Sequence, residues 1–197
     1  MNLNFSEHII LENDRVRLEP LDKSKHFDIL LALSEKDPTL LKYSPSPFGT
    51  PDSMEKYFDI YNRDFTAQTR YAFAIFDKKP QQFAGCTSCG NVSNHNQKLE
   101  IGWTWLSKAF QGTGLNKNCK YLILKFAFET LGFERVELKT DERNEQSKKA
   151  IKKIGAKYEG TLRSNTLMLD GFRRSTCYYS ILKSEWEDVK GNIFGDL

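Results

Sequence analysis

The segment from Phe110 to Lys117 is the clearest candidate for chemistry in this sequence, because Gly112 and Gly114 stand between a tryptophan-rich apolar stretch and a long segment with helical periodicity. A glycine-rich turn that opens a helix lets backbone amides approach an anion closely, and the positive end of the helix dipole favours phosphate. The spacing differs from a nucleotide P-loop, and the dinucleotide fingerprint would need a third glycine where Lys117 stands. The pattern therefore indicates either an anion-binding turn or an ordinary strand-to-helix turn.

Cysteine and histidine do not form a convincing metal or redox motif. Cys86 and Cys89 form a Cys-x-x-Cys, but at this separation they face opposite sides of a regular strand, and no second pair completes a zinc set. Reduced structural thiols are the favoured interpretation. His8, His26 and His95 are scattered, and we expect them on the surface or in loops.

The bulk composition predicts a single domain, which we place at residues 8–190. The chain has 197 residues, of which 39% are hydrophobic and 28% charged, enough to bury a sizeable core. A net charge of +3 is too small and too interspersed for a nucleic-acid-binding face. The start of the sequence has no signal-peptide or membrane-span pattern. We expect a cytoplasmic protein that binds neither nucleic acid nor a membrane.

The first half of the chain predicts an edge strand, two helices and an antiparallel meander. The edge strand is residues 15–20, the first helix starts near Ser24, and Asp52 or Ser53 is expected to cap the second helix. The proline-rich segment between the helices, residues 43–51, predicts a loop. The meander strands are residues 71–76, 82–92 and 99–106.

The second half predicts a parallel crossover followed by further strands. A helix over residues 113–131 ends at Gly132, and a second helix is capped by Asn144 and stops at Gly155. Strands are predicted over residues 134–140, 156–162, 167–169 and 176–182, with a turn at residues 170–171. The predicted class is α+β, with a mixed, mostly antiparallel central sheet of about six to seven strands and helices on both faces.

Six short motifs, in this order and spacing, carry a family resemblance. They are Leu99-Glu100-Ile101-Gly102-Trp103, Gln111-Gly112-Thr113-Gly114, Leu131-Gly132-Phe133, Asn144-Glu145-Gln146-Ser147, Ile154-Gly155-Ala156 and Glu159-Gly160. Together they resemble the GNAT fold of acetyl-CoA-dependent N-acetyltransferases over roughly residues 10 to 185. The RimJ/RimL-like branch, which acetylates protein N-termini and various small amines, is the most similar.

The resemblance implies acetyl-CoA as cosubstrate and no metal. Its pyrophosphate motif has the form Gln/Arg-x-x-Gly-x-Gly/Ala, which Gln111, Gly114 and the position of Asn116 match in spacing. Asn116 replaces the usual small residue, so its side chain must point away from the cofactor or make its own polar contact. Lys117 and Lys120 could add charge near a phosphate, although a solvated helix face is favoured for Lys120. The residues expected to bind the cofactor are Trp105, Leu106, Gln111, Gly112, Thr113, Gly114, Leu115, Asn116, Lys117, Asn144 and Ser147.

Acetyl transfer requires a base for the amine, donors for the oxyanion and a proton for the departing thiolate. Glu100 alternates with apolar neighbours on its strand and is the candidate base; the alternative is a residue bonded to a neighbouring strand. The resemblance implies that backbone amides at Trp105 or Leu106 are the oxyanion donors, because relatives hold the thioester beside this strand.

The acid is less clearly marked in the sequence. Many relatives carry a tyrosine seven residues after the asparagine that begins the next helix, where this chain has Ile151. Ser147 lies three residues after Asn144 on the same helix face and is the available hydroxyl; the resemblance to the RimJ/RimL-like branch makes it the candidate acid. The alternatives are a helix-cap hydroxyl bonded to backbone at this position, and solvent as the acid.

The sequence thus predicts an N-acetyltransferase that transfers the acetyl group of acetyl-CoA to a primary amine by direct attack in a ternary complex. A protein N-terminus and a small-molecule amine are both open as acceptors, as are a monomer and a homodimer. The alternative function is a non-catalytic acyl-CoA-binding module of the same fold.

Overall fold

Eight strands form one mixed sheet in the computed structural model, which describes residues 1–197. The strands are β1 (Leu11–Glu12), β2 (Val16–Pro20), β3 (Tyr71–Asp77), β4 (Gln82–Ser93), β5 (Lys98–Leu106), β6 (Arg135–Asp141), β7 (Lys157–Leu167) and β8 (Arg173–Leu182). Their order in the sheet is β1-β2-β3-β4-β5-β6-β8-β7. Only β5 and β6 run parallel, because the chain crosses over between them through a helix.

Five α-helices accompany the sheet. They are α1 (Lys23–Glu35), α2 (Pro51–Thr66), α3 (Leu115–Lys125), α4 (Glu145–Lys153) and α5 (Trp186–Phe194). A π-helical segment, Phe126–Thr130, continues α3. None of these helices has the length and apolar character needed to cross a membrane.

The helices cover both faces of the sheet, as the sequence predicts. Alternating residues of β3 show the two faces: Phe73 belongs to a core cluster that includes Leu115 of α3, whereas Ala72 belongs to a second cluster with Met54 and Phe58 of α2. The first cluster also includes residues of α4 and α5. We refer to these as the α3 face and the α2 face.

The core extends beyond the predicted domain limits of 8 and 190. Leu3, Phe5 and Phe194 are buried in the cluster on the α3 face. The N-terminal segment and α5, for which the sequence pattern predicts no element, are therefore part of the packed structure.

A bulge in β5 opens the sheet at its centre. Cys86 pairs with Trp105 and Ser88 pairs with Gly102, so two residues of β5, Trp103 and Thr104, stand opposite one residue of β4. Trp103 adopts a φ of 49°, in the left-handed region. Pairing between β5 and β6 ends at residue 100, which faces Glu137 of β6, just before this bulge. From there to Leu106, the edge of β5 that faces β6 has no strand partner.

Several predicted elements need correction. Residues 15–20 are not an edge strand, since β1 pairs along the outer side of β2; a two-residue strand is too short to give a periodic signal. The cap of α2 is Thr50, not Asp52 or Ser53, because the Thr50 and Ser53 side chains each accept the other's backbone N–H. The two strands predicted at residues 156–162 and 167–169 are one strand, β7, over residues 157–167, which runs with an irregular register to the hairpin turn before β8.

Candidate active site

The turn before α3 presents a continuous set of free backbone amides. Gly112 and Gly114 have φ values of 74° and 84°, and Gly114 is the N-cap of α3. None of the backbone N–H groups of residues 112–117 donates to a protein acceptor. Glycine adopts these angles without strain, and an ideal Cβ at either position would meet no atom within 4 Å. The turn therefore has the chemistry of an anion-binding site at a helix N-terminus.

Gln111 joins the free edge of β5 to the start of α4. Its Nε2 donates to the backbone oxygen of Leu106 at 2.9 Å, and its Oε1 accepts from Nε2 of Gln146 at 3.1 Å. Both ends of the Gln111 amide are thus engaged within the protein. The glutamine at the head of the motif fixes the glycine turn between a strand and a helix.

The other residues of the turn differ in what they offer a ligand. Leu115 is fully buried in the core, so only its backbone amide can contact a cofactor. Thr113 Oγ1 donates to the Phe110 carbonyl at 2.8 Å. Lys117 forms an ion pair with Asp196, which competes with any phosphate for the ammonium group. The Oδ1 atom of Asn116 is buried without a hydrogen-bond partner.

Asn144 caps α4 as predicted, and Ser147 is the residue whose amide it binds. The Asn144 Oδ1 accepts the Ser147 N–H at 3.0 Å. The Ser147 hydroxyl forms no hydrogen bond with another protein group, and the residue is half-buried. The structure therefore does not contain the hydrogen bond from the Ser147 hydroxyl to backbone that was the alternative.

Glu100 is buried at the last position where β5 pairs with β6, on the α2 face. It is 7% exposed, and its Oε2 accepts from Nδ2 of Asn91 and from Nζ of Lys139, both at 2.7 Å. These partners come from the strands on either side, β4 and β6. Its Oε1 lies 3.0 Å from the position a Cβ would take at Gly102, so glycine there leaves room above this oxygen.

Lys139 is a partner of Glu100 that the sequence pattern does not predict. Its Nζ also contacts Glu137 Oε2 at 3.2 Å and lies 5.0 Å from the centre of the Tyr178 ring. Burial acts to lower the pKa of Lys139, but the carboxylates of Glu100 and Glu137 outweigh it and raise the pKa above its usual value. Only the parallel pairing of β5 with β6 brings Lys139 beside Glu100, and the sequence carries no register signal for it.

Trp105 and Leu106 lie on the unpaired stretch of β5, where oxyanion donors are expected. Their side chains point to opposite faces: Trp105 packs in the α2-face cluster with the Phe48 ring at 4.9 Å, and Leu106 packs on the α3 face. Both side chains are buried. Any contact of these residues with a cofactor therefore comes from the backbone.

Two buried cations flank the bulge. Lys120 of α3 is buried, not solvated as the sequence favours, and its Nζ donates to Thr104 Oγ1 at 2.8 Å. On the α2 face, Arg70 is 2% exposed, and its guanidinium carbon lies 4.8 Å from the centre of the Trp103 ring. The sequence contains a signal for this burial, because Lys120 stands four residues before Leu124, which is buried on the same side of α3.

The cysteines and histidines carry no metal site. Cys86 and Cys89 lie in the clusters on opposite faces of the sheet, as expected, and all four cysteines are free and buried. No cluster of metal-ligating side chains is present. The expectation for His26 is wrong: it is buried, with Nδ1 accepting the Asp22 N–H at 3.0 Å and Nε2 at 2.9 Å from Glu19 Oε1.

Comparisons with known proteins agree with the predicted fold and family. The family model described as an acetyltransferase (GNAT) domain matches residues 15–157. A protein of Bacillus subtilis described as "Putative ribosomal N-acetyltransferase YdaF" is 27% identical over 186 residues, covering 94% of this chain and 97% of its own. This similarity agrees with the RimJ/RimL-like branch.

Solved structures give the same result. A crystal structure from T. thermophilus, described as a "putative acetyltransferase", is 35% identical with a TM-score of 0.85, and the match covers 98% of each chain. A GCN5-related N-acetyltransferase from Brucella melitensis is 26% identical with a TM-score of 0.87, covering 98% of this chain and 86% of that one. The chain belongs to the GNAT acetyltransferase family. The non-catalytic alternative is not favoured, since these relatives are described as acetyltransferases.

Proposed function

We propose that the chain is a single-domain acetyltransferase that moves the acetyl group of acetyl-CoA to a primary amine by direct attack in a ternary complex. The observation that carries the proposal is the run of free amides at residues 112–117, tied by Gln111 to the unpaired edge of β5. Amides at a helix N-terminus suit a diphosphate, and a free strand edge next to them suits the amide groups of a pantetheine arm. A covalent enzyme intermediate is not part of the proposal.

The chain's own groups are assigned three roles. Glu100 accepts the proton of the acceptor amine, directly or through one water, because its second oxygen has no hydrogen-bond partner in the protein. Backbone amides at Trp105 or Leu106 stabilise the oxyanion. Ser147, whose hydroxyl is free, or solvent protonates the departing thiolate, which is a good leaving group since its pKa is about 8.5.

The acceptor is proposed to enter on the α2 face. The proline-rich loop lies on this face, because its Phe48 ring packs against Trp105 of the α2-face cluster. Its first residue, Tyr43, is held at the end of the sheet: Arg174 donates to the Tyr43 backbone oxygen at 2.8 Å, and the Arg143 guanidinium carbon lies 5.7 Å from the Tyr43 ring centre. The description of the Bacillus relative as a ribosomal N-acetyltransferase supports a protein N-terminus as acceptor. A small-molecule amine is the second candidate. Four buried free thiols agree with the proposed cytoplasmic location.

The test combines turnover with binding. Release of free thiol from acetyl-CoA is followed with a panel of acceptors: unblocked peptides beginning with Ser or Ala, spermidine, glucosamine and free lysine. We expect turnover with at least one acceptor above the rate without acceptor, and a rise in melting temperature with acetyl-CoA, because a ligand of the native state stabilises it by mass action.

The two readouts separate the candidate functions. A thermal shift without turnover on any acceptor would favour an acyl-CoA-binding module. If acetyl-CoA at saturating concentration gives no thermal shift and no acceptor is turned over, both candidate functions are wrong.

A further inference from the structure

Lys120 is a buried cation that the proposed roles leave unused. It is 6% exposed, and it forms no ion pair with any carboxylate; its one side-chain hydrogen bond goes to Thr104. Burying an ammonium group without a counter-charge is unfavourable by several kcal/mol in general. A methionine or leucine would pack at this position without that penalty, so the charge calls for a reason.

The single hydrogen-bond partner of Lys120 lies in the bulge of β5. Thr104 is one of the two bulge residues of β5, and its Oγ1 also lies 2.8 Å from Thr87 Oγ1 on β4 and 3.3 Å from the Gly102 backbone oxygen. Because Lys120 can only donate, Thr104 must accept from it. The Thr104 hydroxyl hydrogen is thereby directed toward Thr87 or Gly102, both of which border the bulge.

The bulge decides where the free edge of β5 points. A bulge bends its strand and increases the local twist, and this one lies between the last β5–β6 pair and Leu106. Trp103, the other bulge residue, is held from the opposite face by Arg70, which has its own partners in Tyr57, Ser88 and the nearby Asp64. Of the two buried cations, Arg70 and Lys120, only Lys120 has no carboxylate partner that would account for its burial.

We propose that Lys120 is a positioning residue for acetyl transfer, which acts through Thr104 to hold the bulge of β5 in the shape that aims its free edge at the thioester. This inference rests on the proposed acetyltransferase function. Lys120 is not assigned to any proton transfer, and it is not expected to contact the diphosphate, because its Nζ is directed to the sheet and away from the exposed glycine turn.

The titration of Lys120 supplies a signature that a purely structural residue would lack. Burial lowers the pKa of Lys120 to about 8. The ionisable groups near enough to influence Lys120 are the thiols of Cys119 and Cys89 and, across the sheet, the carboxylate of Glu100; the Arg15–Asp77 ion pair lies near Cys119. Burial raises the pKa of both thiols to about 12, so they stay neutral while Lys120 titrates.

The experiment compares wild-type, Lys120→Met, Thr104→Val and the double variant, with Lys125→Met as the matched control on the exposed side of α3. The acceptor is the member of the panel above that wild-type turns over fastest. We expect Lys120→Met and Thr104→Val each to lower kcat about tenfold or more, with KM for acetyl-CoA within about twofold of wild-type. The double variant should be no worse than the poorer single variant, because both changes break one contact.

Two further readouts keep the inference falsifiable. The melting temperature of Lys120→Met should equal or exceed that of wild-type, and the ratio of wild-type kcat to Lys120→Met kcat should fall as pH rises through about 8. Using a ratio cancels the titration of the acceptor amine. Three results would overturn this inference and leave the proposed function standing. They are a wild-type kcat for Lys120→Met, a kcat ratio that does not change with pH, and an equal fall in kcat for Lys125→Met. A wild-type protein that transfers acetyl to no acceptor would overturn the proposed function, and this inference with it.

Discussion

Lys139 Nζ lies 2.7 Å from Glu100 Oε2, so the proposed base is already ion-paired before any substrate binds. The pair joins β5 to β6 at the end of their short parallel ladder, where the two strands part. One carboxylate oxygen of Glu100 is thereby held by Lys139 and Asn91, and the other is left for an acceptor. Glu100 therefore has one oxygen in a structural contact and one oxygen free, and different mutations test the two roles.

Glu100→Gln should lower kcat/KM for the amine at least about 100-fold, because a positioned base contributes roughly that factor or more. The carboxamide keeps the size of the side chain, so the rise in melting temperature with acetyl-CoA should be retained. Glu137→Gln is the matched control, as it removes the other carboxylate that binds Lys139 without touching the proposed base. Equal losses of kcat/KM in the two variants would show that the ion-pair network is responsible and that Glu100 is not the base.

Lys139→Met should destabilise the protein by about 2 to 4 kcal/mol, because it leaves two largely buried carboxylates without their shared cation. The folded-state pKa of Lys139 is raised, so the pair stabilises the protein below the unfolded value of 10.5 and is lost as pH rises through the folded value. Urea unfolding at pH 7 and near pH 11 measures this. Adding Glu100→Gln to Lys139→Met should recover part of the loss; an additive, deeper loss would contradict the pairing.

Stability of the wild-type protein should rise with pH between about 8 and 10.5 through Lys120. Its folded pKa, near 8, lies below the unfolded value of 10.5, so the unfolded chain binds more protons in this window. The shift corresponds to at most about 3 kcal/mol. Chemical denaturation of wild-type and Lys120→Met across this range is the measurement, and a constant difference between them would show that Lys120 is not a buried cation.

Gly112→Ala and Gly114→Ala should each lose about 1 kcal/mol of unfolding free energy and weaken acetyl-CoA binding, because an L-residue is strained at their positive φ. Steric contact is not the cause, since both sites are open. Gly191→Ala supplies the control: it lies inside α5 with open space around it, and alanine there should stabilise by about 0.5 to 1 kcal/mol. Unchanged acetyl-CoA affinity, measured by calorimetry, in both turn variants would remove the diphosphate assignment.

Ser147→Ala and Asn144→Ala should separate chemistry from capping. Asn144→Ala removes the cap of α4 and should lower the unfolding free energy by about 1 kcal/mol. Ser147→Ala removes a hydroxyl without protein partners, so stability should change little while kcat falls about tenfold. A kcat within about twofold of wild-type would assign the acid role to solvent.

Features governed by near neighbours were predicted from the sequence. The glycine turn and the Asn144 cap follow from backbone sterics and one local hydrogen bond. Cys86 and Cys89 point to opposite faces of the sheet, as the two-residue period of a strand predicts. The ordered motifs added the family, which the comparisons confirm.

Contacts between distant segments were decided by the tertiary structure. The ion pair of Glu100 with Lys139 and the hydrogen bond from Lys120 to Thr104 join segments whose relative position depends on how the whole sheet assembles. A one-residue shift in the pairing of β5 or β6 would turn the Glu100, Lys139 and Thr104 side chains to the other face, and no local pattern encodes that pairing. The sequence by itself therefore determined most of the elements, the glycine turn and the family. The contact of Glu100 with Lys139 and the contact of Lys120 with the bulge of β5 exist only once the strands and α3 have packed together.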